Sequence, residues 1–171
     1  MRVVTSDPPP PEFEALLEHR RGIGIDRRDE VWDGVLHMNP APHRRHARVV
    51  AELLWLLHPF AQEAGLAAIA DFNIGTAEDF RIPDCALIGP GADELWNPTA
   101  ALVVEVASPG DASWDKLGFY AAHAVDELLI VSLEDRKVDW LALSAAGYEM
   151  VERSGLIQLG PVQLADLLHR A

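Results

Sequence analysis

The chain has 171 residues, of which 49% are apolar and 24% charged, and its formal net charge at pH 7 is -13. This length favours one hydrophobic core, and the composition excludes a disordered or fibrous protein. No apolar run reaches the roughly 18 to 20 residues that span a bilayer, and the first residues lack the apolar core of a secretory signal. We therefore expect a single cytoplasmic domain over residues 12–171, preceded by a flexible segment at 1–11.

Basic residues are concentrated at the start of the chain. Residues 1–50 hold eight of the fourteen Lys and Arg against eight Asp and Glu, and the other residues hold six basic and nineteen acidic groups. A protein that binds nucleic acid usually presents basic side chains to the phosphates. We therefore expect any phosphate-facing surface in the first third, although these arginines are also typical of solvated helices and loops.

The first half of the chain predicts two helices and a hairpin. Residues 12–19 follow a run of four prolines and have the composition of a short helix. An Asp-Gly pair between two short apolar segments predicts a hairpin at about 29–39. Apolar residues at helical spacing predict the longest helix over 43–64, ended or bent near Pro59.

The second half of the chain predicts strands. Short apolar runs bounded by turn residues occur at 66–74, 82–88, 102–107, 128–133 and 138–143. A segment of helical composition at 113–124 separates the third and fourth runs, which is typical of a crossover between parallel strands. A hairpin partner near 148–151 and a helix at 161–170 follow. This order predicts an α/β fold in which helices flank one mixed β-sheet.

Two carboxylates lie within these apolar runs. Glu105 is in the middle of a run uniform enough to be buried on both faces, and Asp84 lies near the start of another. A buried carboxylate must be neutralised, paired or bound to a cation. On adjacent strands the two would form an oxygen-rich pocket for Mg²⁺ or Mn²⁺, which could lower the pKa of a bound water and offset charge on a phosphoryl group. The alternative is structural: Asp84 caps a turn, and Glu105 pairs with Lys116 or Arg81.

Lys116 follows Glu105 by eleven residues, in the segment of helical composition. A helix that covers the sheet would bring this lysine back above the strand it follows. An ammonium group held there could orient an attacking water or stabilise the pentavalent phosphorus of a transition state.

Several motifs together carry a family resemblance. They are Glu-Val-Trp-Asp-Gly at 30–34, Pro-Ala-Pro followed by His46, Ile-Pro-Asp at 82–84, Val-Val-Glu-Val-Ala-Ser-Pro at 103–109, and Asp115-Lys116 with Tyr120. In order and spacing they are similar to the Uma2 (DUF820) family, which is assigned to the restriction endonucleases of the PD-(D/E)xK superfamily. The resemblance covers about residues 12–145.

The resemblance implies roles for particular residues. Asp84 and Glu105 would bind the metal, and Glu30 would support the metal or its waters. Lys116 would be the catalytic lysine, moved onto the helix from its usual place two residues after the acid, where this chain has Ala107. His46 matches a histidine common in the family, so His46 or Arg44 is a candidate for phosphate contact. The implied fold is restriction-endonuclease-like.

These observations together predict an endonuclease that hydrolyses DNA phosphodiester bonds with water activated by Mg²⁺ or Mn²⁺. A homodimer is expected, because a small nuclease that cuts two strands often needs two sites. Two alternatives stay open: a non-catalytic nucleic-acid or protein interaction module that retains the fold, and a metal-dependent hydrolase of small phosphoesters. A nuclease requires Asp84, Glu105 and Lys116 to converge, whereas the small-molecule hydrolase would have a closed pocket too narrow for a duplex.

Overall fold

The computed structural model describes residues 2–3, 10–91, 94–110 and 112–170. Within these residues the chain forms four α-helices, two short 3-10 helices and twelve β-strands. The helices are α1 (Pro11–Ile23), α2 (Arg44–Glu63), α3 (Leu117–Ala122) and α4 (Pro161–Arg170). The 3-10 helices are Asp26–Arg28 and Ser113–Lys116. The strands are β1 (Arg2–Val3), β2 (Glu30–Trp32), β3 (Val35–His37), β4 (Ala67–Ile69), β5 (Asn73–Thr76), β6 (Asp79–Arg81), β7 (Cys85–Ile88), β8 (Trp96–Asn97), β9 (Leu102–Ala107), β10 (Glu127–Ser132), β11 (Val138–Ser144) and β12 (Gly147–Met150).

The strands form two six-stranded sheets instead of the one sheet that was expected. The central sheet has the order β12-β11-β10-β9-β7-β4. The other sheet has the order β1-β3-β2-β6-β5-β8, and we call it the smaller sheet because its strands have only two to four residues. In the central sheet β9 and β10 run parallel and the other neighbouring strands run antiparallel. The parallel pair is joined through α3, as the crossover pattern predicted. Sheets and helices make one mixed α/β domain.

Both faces of the central sheet are buried. One face packs against α2 and α4 in a cluster that includes Leu53, Val104 and Trp140. The other face packs against α3 in a cluster that includes Val103 and Tyr120. Successive side chains of a strand point to opposite faces, so Glu105 lies on the α3 side, between Val104 and Val106 of the α2 side. This arrangement explains why β9 is uniformly apolar apart from one carboxylate.

Local sequence signals explain most element ends. In the hairpin of β2 and β3, Asp33 and Gly34 have φ of 48° and 76°, the left-handed values that a tight two-residue turn needs. Helix α1 has Pro11 in its first turn and ends at Gly24, whose φ is 72°. The expected hairpin and the helices at the two ends of the chain are thus confirmed, with α1 longer than predicted.

The helix expected over 43–64 is confirmed as α2, which does not end at Pro59 but continues through it to Glu63. Two expectations about strands were wrong. The expected strand at 66–74 is two strands of different sheets, β4 and β5, with Asp71 between them at a φ of 52°. In the expected strand at 82–88 only β7 is extended into the sheet, and residues 82–84 carry the chain from the smaller sheet to the central one.

The expected flexible segment at 1–11 lies mostly outside the described residues. Its described parts are β1, whose backbone pairs with β3, and Pro10 and Pro11 at the start of α1. Among the described residues no helix has the length and apolar content needed to cross a bilayer.

Another buried carboxylate, that of Glu127 at the start of β10, was not among the site residues predicted from the sequence. It accepts hydrogen bonds from Trp140 Nε1 at 2.8 Å, Ser154 Oγ at 2.6 Å and the Gly155 N–H at 2.6 Å. Three donors satisfy this buried group without a cation, and they attach the loop before α4 to the central sheet.

Candidate active site

Glu105 is one of the buried acids of the candidate site, with 3% of its surface exposed. Its Oε1 accepts hydrogen bonds from Lys116 Nζ at 3.0 Å and from the Tyr120 hydroxyl at 2.5 Å. Burial raises the pKa of Glu105 to about 7, since the nearby Lys116 ammonium offsets this effect only in part and the charges of Asp84 and Glu30 add to it. Glu105 therefore changes its charge near neutral pH in the metal-free protein.

Lys116 lies between two buried carboxylates. It ends the 3-10 helix Ser113–Lys116, and its Nζ is 3.0 Å from Oε1 of Glu30 and 3.0 Å from Oε1 of Glu105. Burial alone would lower the pKa of the ammonium, but the charges and hydrogen bonds of Glu105 and Glu30 raise it above its ordinary value. Lys116 therefore stays charged at neutral pH.

Glu30 is 1% exposed and comes from β2 of the smaller sheet. Besides Lys116, its Oε1 accepts the Ile82 N–H at 2.8 Å, and its Oε2 accepts Trp32 Nε1 at 2.8 Å. The carboxylate is thus fixed by the backbone of the segment that joins the two sheets. Glu30 and Lys116 together link the smaller sheet to the central one.

Asp84 lies at the end of that connecting segment, immediately before β7. Its Oδ1 is 2.8 Å from Arg28 Nη2 and 2.8 Å from His46 Nε2, and its Oδ2 accepts the Val106 N–H at 2.8 Å. Burial raises the pKa of Asp84, but the hydrogen bond and charge of His46, the Val106 N–H and Arg28 outweigh burial and hold it below the ordinary value. Asp84 is therefore ionised at neutral pH.

Asp84 and Glu105 are neighbours across the central sheet. Strands β7 and β9 pair antiparallel with Cys85 opposite Val104. Asp84 precedes Cys85 and Glu105 follows Val104, so the same register places the two acids side by side. The charge of Asp84 accordingly contributes to the raised pKa of Glu105.

A cleft of about 500 Å³ opens over these residues. Its walls are the loop at 39–43, residues 108–110 and 112–113, and the side chains of the acids and their partners. The polar side chains that line it include Arg28, Glu30, His46, Asp84, Glu105 and Lys116. Arg28 and His46 contact Asp84, whereas Glu30 and Glu105 contact Lys116.

The structure brings together most, but not all, of the residues predicted from the sequence. Glu30, Asp84, Glu105, Lys116 and His46 all line the cleft. Arg44 does not: it is exposed at the start of α2, outside the residues that line the cleft.

Of the two partners considered for Glu105 in an ion pair, the structure shows Lys116. Arg81 instead binds Asp79 at 2.8 Å. The Arg81 guanidinium lies between aromatic rings, 4.4 Å from the centre of Trp32 and 4.0 Å from that of Phe119. Arg81 therefore supports the wall behind Glu30 and takes no direct part in the carboxylate cluster.

Two residues at the site were missed as participants by the sequence reasoning. Arg28 was counted only among the basic residues of the first third, and Tyr120 only as part of a motif. The contact between Arg28 and Asp84 spans 56 positions, so no local pattern indicates it. For Tyr120 a signal existed, because it lies four residues after Lys116 and so on the same face of a helix.

The donor atoms of the site suit a hydrated hard cation. Among the described residues no three His, Cys, Asp or Glu side chains are grouped as a metal site. Asp84 and Glu105 are two neighbouring carboxylates on a cleft wall, and Mg²⁺ commonly uses one or two carboxylates with waters and substrate phosphate oxygens. Zn²⁺ usually takes three or four protein ligands, often with Cys or His among them, so this donor set fits Mg²⁺ or Mn²⁺ better.

The fold and this site define a mixed α/β protein whose cleft is lined by buried carboxylates and a lysine. The chain belongs to the Uma2 family, because the model of that family, described as "Putative restriction endonuclease", matches residues 10–167. A solved structure from Anabaena variabilis, described as a "putative nuclease belonging to DUF820", is similar with a TM-score of 0.66 and 13% sequence identity. The match covers 82% of this chain and 90% of that one. A search of curated proteins found no match.

Proposed function

We propose that the protein is a Mg²⁺- or Mn²⁺-dependent endonuclease that hydrolyses DNA phosphodiester bonds. The observation that carries this proposal is the convergence of four side chains from four different segments on one cleft wall: Glu30, Asp84, Glu105 and Lys116. Membership of a family described as restriction endonucleases supports the same reading.

The neighbouring acids supply the ion-binding function. Asp84 and Glu105 would hold a divalent cation, which lowers the pKa of a water and offsets negative charge on a phosphoryl group. Asp84 is already ionised at neutral pH, since its pKa is lowered, and Glu105 has a pKa of about 7. Of these two acids, Glu105 is therefore the one that has a proton to give up near neutral pH. The Tyr120 hydroxyl fixes Oε1 of Glu105 during this change.

Lys116 supplies the positive charge of the chemical step. Its ammonium is held between Glu30 and Glu105 and has a third N–H beyond these two contacts. From the cleft wall it can donate that N–H to the attacking water or to a phosphate oxygen. Glu30 keeps the ammonium in place, since its own orientation is fixed by Ile82 and Trp32.

The charge distribution of the protein favours a substrate that is bound through only a few of its phosphates. The net charge of -13 leaves little basic surface for a long duplex. Apart from Lys116, the basic side chains at the cleft, Arg28, His37, His43 and His46, are all from the first third of the chain. We also propose a homodimer, which would present two such clefts to the two strands, and a cytoplasmic location, with which the free, buried Cys85 is consistent.

A second candidate is hydrolysis of small phosphoesters by the same residues. The acidic surface and a cleft of about 500 Å³, within the usual size of small-ligand pockets, favour it. Cleavage of a small phosphodiester together with no cleavage of plasmid or oligonucleotide DNA would select this candidate over the first.

The ion-binding step is tested by Mn²⁺ titration in a calorimeter. We expect Asp84→Ala and Glu105→Ala each to lose Mn²⁺ binding and DNA cleavage while the fold, checked by circular dichroism, is kept. Glu134→Ala, which removes an exposed carboxylate, is the matched control and should bind Mn²⁺ as the wild type does. Unchanged Mn²⁺ affinity in both site variants would overturn the proposal.

A further inference from the structure

Asp84 Oδ1 is held by two side chains at once. Arg28 Nη2 and His46 Nε2 are each 2.8 Å from this oxygen, which belongs to one of the two proposed metal ligands. Arg28 ends the 3-10 helix Asp26–Arg28, and His46 lies in the first turn of α2. Both side chains line the cleft, so Arg28, the cationic partner of Asp84, lies where a substrate phosphate would enter.

We propose that Arg28 is an exchangeable counter-ion. In the metal-free protein it neutralises Asp84, and when a divalent cation binds Asp84 it turns to a phosphate of the substrate. This inference rests on the proposed function and assigns to Arg28 the binding of the phosphate next to the cleaved bond.

The electrostatics of Asp84 favour the exchange. Arg28 carries a full positive charge at any pH near neutrality, so it repels a divalent cation that approaches the same carboxylate. The His46 side chain is 17% exposed against 28% for Arg28, so His46 has less open space to move into. Arg28 is therefore the partner that is freer to leave.

The second contact of Arg28 is too weak to hold it in place. Arg28 Nη1 lies 3.3 Å from Oδ1 of Asp71, whose side chain is 74% exposed. Ion pairs this exposed contribute little in water. Once Asp84 is neutralised by a cation, the guanidinium is left with a solvent-facing partner only.

The chemistry of the guanidinium points to phosphate as its new partner. Its forked N–H groups match two oxygens of a phosphate, and charge-assisted bonds of this kind are strong. Arg28 is long and at the cleft wall, so it reaches the cleft without movement of the backbone.

The test compares Arg28→Gln with Arg27→Gln, which removes the same charge one residue earlier, at an exposed position. Two quantities are measured: Mn²⁺ affinity by calorimetry, and affinity for a labelled oligonucleotide with non-hydrolysable phosphate linkages by anisotropy in saturating Mn²⁺. We expect Arg28→Gln to bind Mn²⁺ about tenfold more tightly than the control, and the oligonucleotide about tenfold more weakly, for the loss of one charge-assisted contact. A purely structural role would not change the two affinities in opposite directions.

Arg28→Lys keeps the charge and serves if Arg28→Gln fails to fold. It should recover part of the oligonucleotide affinity and leave Mn²⁺ affinity near that of the wild type. The inference is overturned if Arg28→Gln weakens Mn²⁺ binding, or if its oligonucleotide affinity equals that of Arg27→Gln. Where only Arg28→Lys folds, the same two outcomes in that variant overturn it. Wild-type protein that binds no Mn²⁺ would instead reject the proposed function itself, so the two failures are distinguishable.

Discussion

The carboxylates of Asp84 and Glu105 lie side by side, yet their pKa values move in opposite directions. Asp84 contacts His46, a backbone N–H and Arg28. Together these contacts favour the charged form of Asp84 more than burial disfavours it. Glu105 has Lys116 and Tyr120, but it is more deeply buried and is repelled by the charges of Asp84 and Glu30. The site thus combines one acid that is ionised at neutral pH with one that exchanges a proton near neutrality.

A pH dependence of stability follows from Glu105. Its pKa rises from an ordinary value of 4.5 to about 7 on folding, so between these pH values the native state holds a proton that the unfolded state has lost. The free energy of unfolding of the metal-free protein therefore falls as pH rises through this interval, and this contribution is constant above it. Urea unfolding of wild type and Glu105→Gln in chelator should show a flatter pH profile for the variant. Equal slopes in the two proteins would contradict the assignment.

Lys116 is predicted to be needed both for the fold and for cleavage. In Lys116→Met the carboxylates of Glu30 and Glu105 face each other without a cation, and breaking a buried ion pair in this way costs about 3 kcal/mol. We expect a loss of stability of that size at neutral pH in urea unfolding, and a loss of DNA cleavage of about a hundredfold or more. Lys137→Met, at a side chain that is 66% exposed, should leave both measurements close to wild type. Full cleavage by the Lys116 variant would remove this lysine from the proposed mechanism.

At the residue scale the sequence indicated the buried acids better than their partners. Glu105 could be predicted because a carboxylate within a uniformly apolar run has to be compensated. Glu30 depended on family resemblance, since one acid beside a hairpin turn carries no local signal of burial. Arg28 could not be found because its contact with Asp84 joins segments that are 56 positions apart in the chain.

At the scale of elements, the long and strongly patterned segments were predicted and the short ones were not. Helix α2 and strands β9, β10 and β11 have enough apolar residues at one period to define their type. Strands β5, β6 and β8 have four residues or fewer, which is too short for a pattern. The hairpin of β2 and β3, which holds Glu30, was therefore predicted, but its extension into a second six-stranded sheet was not.

The packing of α2 on the central sheet is tested by two substitutions on one helix. Leu53 is 0% exposed in the core cluster, whereas Trp55, two residues on, is 71% exposed. Leu53→Ala should lower the free energy of unfolding by about 3 kcal/mol, through lost burial and a cavity. Trp55→Ala should change it by less than about 0.5 kcal/mol. Equal effects in denaturant unfolding would mean that α2 presents a different face to the sheet.

At the scale of the whole molecule, the site depends on the joining of two sheets. The smaller sheet contributes Glu30, the segment between the sheets contributes Asp84, and the central sheet and its crossover contribute Glu105 and Lys116. The acidity of the chain lies mainly beyond residue 50, while Arg28 brings positive charge to the cleft from the first third. For the proposed function, this asymmetry would give a substrate phosphate one favourable side of approach.

The most direct test of the nuclease assignment is a cleavage assay with purified protein. Plasmid and oligonucleotide DNA are incubated with Mg²⁺, with Mn²⁺ or with chelator, in parallel with the Asp84→Ala variant and the Glu134→Ala control. We predict cleavage by the wild type and the control that requires the divalent ion and is lost in the Asp84 variant. Cleavage that persists in chelator or in Asp84→Ala, or no cleavage of DNA under any of these conditions, would contradict it.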